Sequence, residues 1–144
     1  MAATTAKIGF GVLLKRGDGG GPETFTAIAE LKSINGPASA MDTPEATHSE
    51  SPNAAKEFVA GLIEGGEITA TCNFLNDGTQ SLAAGVHADW KNRVKRNFQL
   101  VWPTPTARTE AFAAFVTRYA PQAAIDDVMT VEITLKITGL QTSS

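Results

Sequence analysis

No run of about 18 apolar residues occurs in the 144-residue sequence, which excludes a helix that crosses a membrane. One cysteine excludes an internal disulfide, and one cysteine with two histidines is too thin a ligand set for a structural zinc site. Basic residues are not in excess. The 12 Lys and Arg stand against 15 Asp and Glu, a formal charge of −3, which argues against an electrostatic binder of DNA or of a membrane surface. Residues Met1 to Lys7 lack the charged start and apolar run of a secretory leader, so synthesis in the cytosol is expected. Large apolar side chains are scarce too: Leu, Ile, Val and Phe make up 32 of 144 residues, while Ala alone makes up 22. A single domain with that supply buries a modest core, so it is expected to draw stability from partners.

What is present is strand periodicity. Ile8 to Lys15 reads as a first strand, with Ile8, Phe10 and Val12 alternating, and Arg16 to Pro22 as a glycine-rich, mobile hairpin tip. Thr24 to Ser33 returns as a second strand, with Phe25, Ala27, Ala29 and Leu31 on one face. From Asn35 to Gly66 the texture turns to Pro, Ala, Ser, Gly and acid, a length of irregular chain that is uncommon inside a domain. This 35–66 segment reads as an extended arm that takes its partners from another subunit, with a short edge strand around Ala46 to Glu50.

Glu67 to Leu75 is a strand with Ile68, Ala70, Cys72 and Phe74 inward. A helix is expected over 77–92, capped by Asp77 with Gln80 bonding back, and striped by Leu82, Val86 and Trp90 around an interior Gly85. Val94 to Trp102 is the next strand. Thr109 to Tyr119 fits a helix as well as a strand, and Pro121 with its β-rich neighbours tips it to strand, with Phe112 and Val116 opposite Phe115 and Tyr119. The strongest strand holds Val131, Ile133, Leu135 and Ile137 in, and Thr130, Glu132, Thr134, Lys136 and Thr138 out. The expected fold is mainly β, a small sandwich or barrel with one flanking helix, as a single domain over 1–144.

Chemistry-bearing patterns are weak. Cys72 on an inward strand face reads as a buried, inert thiol, and His48 and His87 as surface or interface imidazoles. Gly17 to Pro22 has no Gly-Lys-Ser/Thr ending, Asp126-Asp127 lacks a calcium loop around it, and no Gly-x-Ser-x-Gly or His-Glu-x-x-His occurs. No catalytic residue, cofactor or metal is expected. The charge layout says more. Asp42, Glu45, Glu50, Glu57, Glu64 and Glu67 crowd the arm, while Lys91, Arg93, Lys95 and Arg96 crowd the helix–strand junction. These are either two solvated patches or the halves of a head-to-tail contact between subunits, of the kind that generates rings or filaments.

The stretch from Ala46-Thr47-His48-Ser49-Glu50-Ser51 through Glu57-Phe58-Val59-Ala60-Gly61-Leu62-Ile63-Glu64-Gly65-Gly66-Glu67-Ile68 resembles the major tail tube proteins of long-tailed, non-contractile phages. In that family a Glu-Phe-x-x-Gly-Leu segment leads through Gly-Glu into a strand. Asn97 to Pro103, Phe112 to Pro121, and Asp126-Asp127 leading to Val131 through Gly139 are similar in the same order, so the resemblance runs from Phe25 to Gly139. It departs at the glycine-rich tip, and with no immunoglobulin-like domain after Gly139 no surface decoration is expected.

The resemblance implies a non-enzymatic subunit that forms hexameric rings. These stack into a tube around a tape-measure protein, bounded by tail terminator and baseplate or tip proteins. Double-stranded DNA passes through without specific binding. The subunit would be made in the host cytoplasm and end in the virion tail. If six subunits each contribute four strands about 4.8 Å apart and tilted about 40°, the backbone diameter is roughly 48 Å, wide enough for a duplex. Phe58, Leu62, Glu57, Glu64, Lys95 and Arg96 are the expected interface residues, and Glu30 and Glu132, on outward strand faces, the expected lumen residues. Alternatives are a terminator or connector ring, a secretion-system tube subunit, and, less favoured, a ligand-binding β-sandwich.

Overall fold

A seven-stranded antiparallel sheet dominates the computed structural model, which describes residues 3–143. The elements in chain order are β1 (Leu13–Gly17), β2 (Phe25–Ala27), β3 (Leu31–Asn35), β4 (Ala40–Met41), β5 (Ile63–Glu64), β6 (Glu67–Asn73), α1 (Val86–Asn92), β7 (Lys95–Trp102), β8 (Arg108–Gln122) and β9 (Thr130–Ser143). The sheet runs β2-β1-β7-β8-β9-β6-β3, and β4 and β5 form a separate small hairpin. The chain is thus mainly β with one α-helix, as its periodicity predicts.

The clearest alternations build the core. Ile68, Ala70 and Cys72 of β6 are buried opposite Leu135, Ile133 and Val131 of β9. Phe98 and Leu100 of β7, Phe112 and Ala114 of β8, and Leu14 of β1 complete the same apolar face. Phe98 and Phe112 stack at 6.1 Å between ring centroids.

The two rims of this sheet, β2 and β3, are successive strands joined by Ile28–Glu30. That joint is bonded to both neighbours, with Ile28 N donating to Leu14 O at 2.8 Å and Asn73 N donating to Glu30 O at 3.1 Å. The sheet therefore curls until its rims nearly meet. The single strand expected over Thr24 to Ser33 is broken at this corner, where Glu30 takes a left-handed φ of 53°. Buried Gln80 locks the corner: its Nε2 donates to Ala29 O at 3.1 Å and Asn73 O at 3.0 Å, and its Oε1 accepts from Leu75 N at 3.1 Å.

Four other expectations change. The first strand begins at Leu13, not Ile8, because Gly9 to Gly11 form a turn and leave Ile8 and Phe10 exposed. The glycine-rich tip is tied down: Asp18 Oδ1 accepts from Gly20 N and Thr24 N, which holds the Asp18 carboxyl below its ordinary range, and Arg96 Nη1 donates to Asp18 O at 2.9 Å. The α-helix spans Val86–Asn92 rather than 77–92. Asp77 Oδ1 caps a turn through Thr79 N and Gln80 N, Leu82 lies in the following turn, and Gly85 is the helix N-cap. A side chain at Gly85 would collide with the Thr79–Ser81 backbone. Lastly, a bulge between Val116 and Arg118 shifts the β8 register, so Tyr119 pairs with buried Ile133 and lies on the core side, not beside Phe115. His87 of α1 stacks on Tyr119 at 4.1 Å.

One ion cluster fixes the helix inside the curl. Asp89, 2% exposed, accepts from Arg16 of β1 (Nη2 to Oδ1, 2.8 Å) and from Arg96 of β7 (Nε to Oδ1, 3.0 Å). The hydrogen bond to Asp89 raises the Arg16 pKa further above its ordinary value. Removing one member of such a cluster strands the others. Asp89→Ala is expected to cost the soluble subunit about 3 kcal/mol, a fall of roughly 10 °C in thermal unfolding. Thermal melts followed by circular dichroism check this.

Candidate assembly surfaces

The arm is built by its own backbone. Asp42 N donates to Leu62 O, Gly61 N to Asp42 O, Val59 N to Pro44 O and Ala46 N to Glu57 O, all at 2.7–3.0 Å. Glu45 and Phe58 form a bridge above β4 and β5, and no edge strand forms over Ala46 to Glu50. The 35–66 segment therefore takes its shape from bonds within the subunit, without waiting for another copy. Its side chains are a different matter. Leu62 is 82% exposed and Phe58 57%, with Met41, Val59 and Ile63 also exposed on the same short hairpin. At its root, Met41, Ile63, Gly65, Gly139 and Leu140 line a groove of about 380 Å³. Exposed apolar clusters of this kind mark contact surfaces.

The expected charged interface residues fall into two groups. Glu57 Oε2 accepts from Ser51 Oγ at 2.6 Å within the arm tip. Lys136 Nζ donates to Glu64 Oε1 at 2.6 Å, an exposed pair that ties arm to β9 and holds the Glu64 carboxyl below its usual range. Lys95 is exposed on the outer face of β7, but Arg96 faces inward to Asp89. Its proximity in sequence to Lys91, Arg93 and Lys95 gave no sign of that partner. Of the lumen candidates, exposed Glu30 accepts from Asn73 Nδ2 at 3.0 Å, and Glu132 pairs with Arg118 at 2.7 Å on the outer sheet face.

Sequence reasoning places Ile8 and Phe10 in a strand, where they are exposed, and passes over other exposed apolar residues: Ile125, Val128 and Met129 at the β8–β9 turn, and Leu140 after the Gly139 kink. The signal was available for the turn, which carries three large apolar residues around Asp126-Asp127 where a loop is ordinarily polar. Glu110 was missed as well. It is buried on β8, paired through Oε1 with Arg108 at 2.9 Å, while its Oε2 has no partner among the described residues.

A serine, a histidine and a carboxylate meet in the arm tip without forming a catalytic relay. Ser51, His48 and Glu57 lie together in the arm tip, but the Ser51 hydroxyl donates to Glu57 rather than to the imidazole. Serine and carboxylate both approach His48 Nδ1, at 3.2 and 3.5 Å. A nucleophile–base–carboxylate relay needs the acid and the serine on opposite ring nitrogens, so this cluster closes a loop and activates nothing. No group of three potential metal ligands occurs among the described residues. Cys72 is fully buried, and burial pushes its thiol up to about 11.

The lambda phage tail tube protein family matches residues 17–144 of the chain. Among solved structures, the chain is similar to a subunit in the tail of an empty gene transfer agent particle, determined by helical refinement with C6 symmetry. The TM-score is 0.79 at 17% identity, over 96% of this chain and 99% of that one. A chain of the sheath/tube terminator of an extracellular contractile injection system gives 0.70 at 18% identity, covering 99% of each. The SPP1 tail tube gives 0.66 at 10% identity, over 92% of this chain and 76% of that one. No curated protein sequence matches. At these identities the likenesses show a shared fold.

The raised Cys72 pKa moves formation of the reactive thiolate to higher pH. Folded protein at pH 8 is therefore expected to resist a thiol reagent for hours, while the same protein in urea reacts at once. Absorbance of the released thiol chromophore measures both rates.

Proposed function

The chain belongs to the lambda phage tail tube protein family, and from that premise we propose that it is the repeating, non-enzymatic subunit of a tail tube in a virion-like particle. Hexameric rings of it stack head to tail into a hollow conduit that encloses a tape-measure protein and later passes double-stranded DNA. The observation that carries the reading is the pairing of that family match with an arm held by its own backbone ladder, whose Phe58 and Leu62 are not covered. The C6 symmetry of the gene transfer agent tail, whose subunit shares the fold, supports six copies per ring.

In this reading Phe58 and Leu62 enter an adjacent copy, with Glu57, Glu64 and Lys95 at the margin of the contact. Arg96 is left out, since reversing it would unseat Asp89 and damage the fold itself. The outward face of β6, β8 and β9 supplies the wall toward the lumen, with Glu132 on it and Glu30 at the corner. Thr69, Thr71, Thr134 and Thr138 on that face are small and uncharged, Glu132 is neutralised by Arg118, and Lys136 by Glu64. Such a wall has little to hold a phosphate backbone, which suits passage without specific binding. A terminal ring is the second reading, favoured by the likeness to a tube terminator. It predicts isolated rings that do not elongate.

Negative-stain imaging of the purified protein tests the reading: tubes are expected, and a strict monomer at high concentration overturns it. The paired substitution Phe58→Asp with Leu62→Asp should leave the melting temperature within a few degrees, because both side chains are exposed. It should also abolish tubes. Tubes of normal length from that variant would remove the arm from the interface.

A further inference from the structure

The wall of the curled sheet is incomplete at one place. Between the chain entering β1 (Gly9 to Leu13) and the corner leading into β3 (Ala27 to Lys32) lies an open cleft of about 620 Å³. One side of it is the rim strand β3, which pairs with β6 and has no strand on its other side. Val12 and Leu31, half-buried and packed against the core, border the gap. The cleft thus combines a free strand edge with access to apolar core surface.

The same chain carries a segment with the matching deficiency. Residues 3–8 have no regular structure, and their backbone donors and acceptors make no bond to the rest of the subunit. The one hydrogen bond there is local, from Ala6 N to Thr4 Oγ1. Ile8 is 82% exposed and Phe10 88%, two residues apart as on one face of a strand. A turn closed by Val12 N to Gly9 O, with Gly11 at a φ of +101° that favours glycine, brings Phe10 to the mouth of the subunit's own cleft and leaves it uncovered there. Six extended residues span about 20 Å, enough to run the full length of a five-residue edge strand.

We propose that the cleft receives the 3–10 segment of a second copy as an added strand along β3, with Ile8 and Phe10 covering Val12 and Leu31. Unpaired backbone rows on both partners are then satisfied in one step, which is the physics of strand addition. The contact is heterologous, because donor segment and acceptor cleft are different surfaces, and it propagates from copy to copy without closing on a pair. The arm is a poorer donor, since part of its backbone is already bonded in its own ladder. This inference rests on the tube reading and adds a second junction to it.

The test uses two separate full-length variants, Lys7→Cys and Lys32→Cys, both at exposed positions and neither among the apolar contacts. They are mixed, assembled and treated with a short bismaleimide, the buried Cys72 staying silent. A covalent dimer is expected from the mixture at least about ten times more abundant than from either variant alone, together with tubes in the microscope. Tubes without that dimer overturn the strand-addition inference and leave the tube reading intact. A third variant carrying both Lys7→Cys and Lys32→Cys that links only within its own chain overturns it in favour of self-insertion. Unsubstituted protein that never polymerises overturns both.

Discussion

A chain that leaves one rim of a sheet and reaches the other rim within a few residues constrains the whole sheet between them. From Ala27 to Leu31 the backbone can span at most about 14 Å, whereas six strand spacings in a flat sheet amount to about 29 Å. The joint Ile28–Glu30 therefore forces β1, β7, β8, β9 and β6 into a curl, and the inward-facing Leu, Ile, Val and Phe side chains converge as one core. That geometry explains how a sequence poor in large apolar residues still builds a packed interior. Gln80 at the corner and Asp89 between two arginines are polar groups in places where a larger core would put leucine or isoleucine. Each is bonded on several sides, so burial does not leave it unsatisfied.

The sequence was legible where the period was local and undisturbed. In β6, and in β9 as far as Ile137, every second residue is buried, and the alternation of Ile68-Ala70-Cys72 and Val131-Ile133-Leu135-Ile137 could be read directly. It misled where an extra residue enters: the bulge after Val116 turns Tyr119 inward, and nothing in the local pattern marks the shift. Ile8, Phe10 and Val12 have the same alternation as a paired strand, yet in the lone subunit Ile8 and Phe10 have nothing to pair with. The stripe Leu82, Val86, Trp90 suggested a longer helix because Gly85 looked tolerated inside it, whereas its missing side chain is what lets two turns cross.

The exposed apolar residues of the arm were legible by composition, and the contacts that hold the arm were not. The apolar residues of the arm stood out against a Pro- and Ala-rich background, but the ladder that stiffens it joins residues about 10 to 20 positions apart. Arg96 and Asp89 are close in sequence, while the third member of their cluster, Arg16, is 73 residues away from Asp89 and gave no signal. Charge counting therefore grouped Arg96 with Lys95, its neighbour on the opposite face of the same strand. For adjacent residues on a strand, sharing a patch in sequence and sharing a patch in space are opposite statements.

The arm's internal ladder has a kinetic consequence. A disordered arm would have to surrender its conformational freedom at every docking event, and each addition would be slowed by that search. In the proposed tube, an arm that arrives already shaped would leave the pace of growth to encounter and alignment of whole subunits, and a template presenting ready-made sockets in register would dictate where elongation begins.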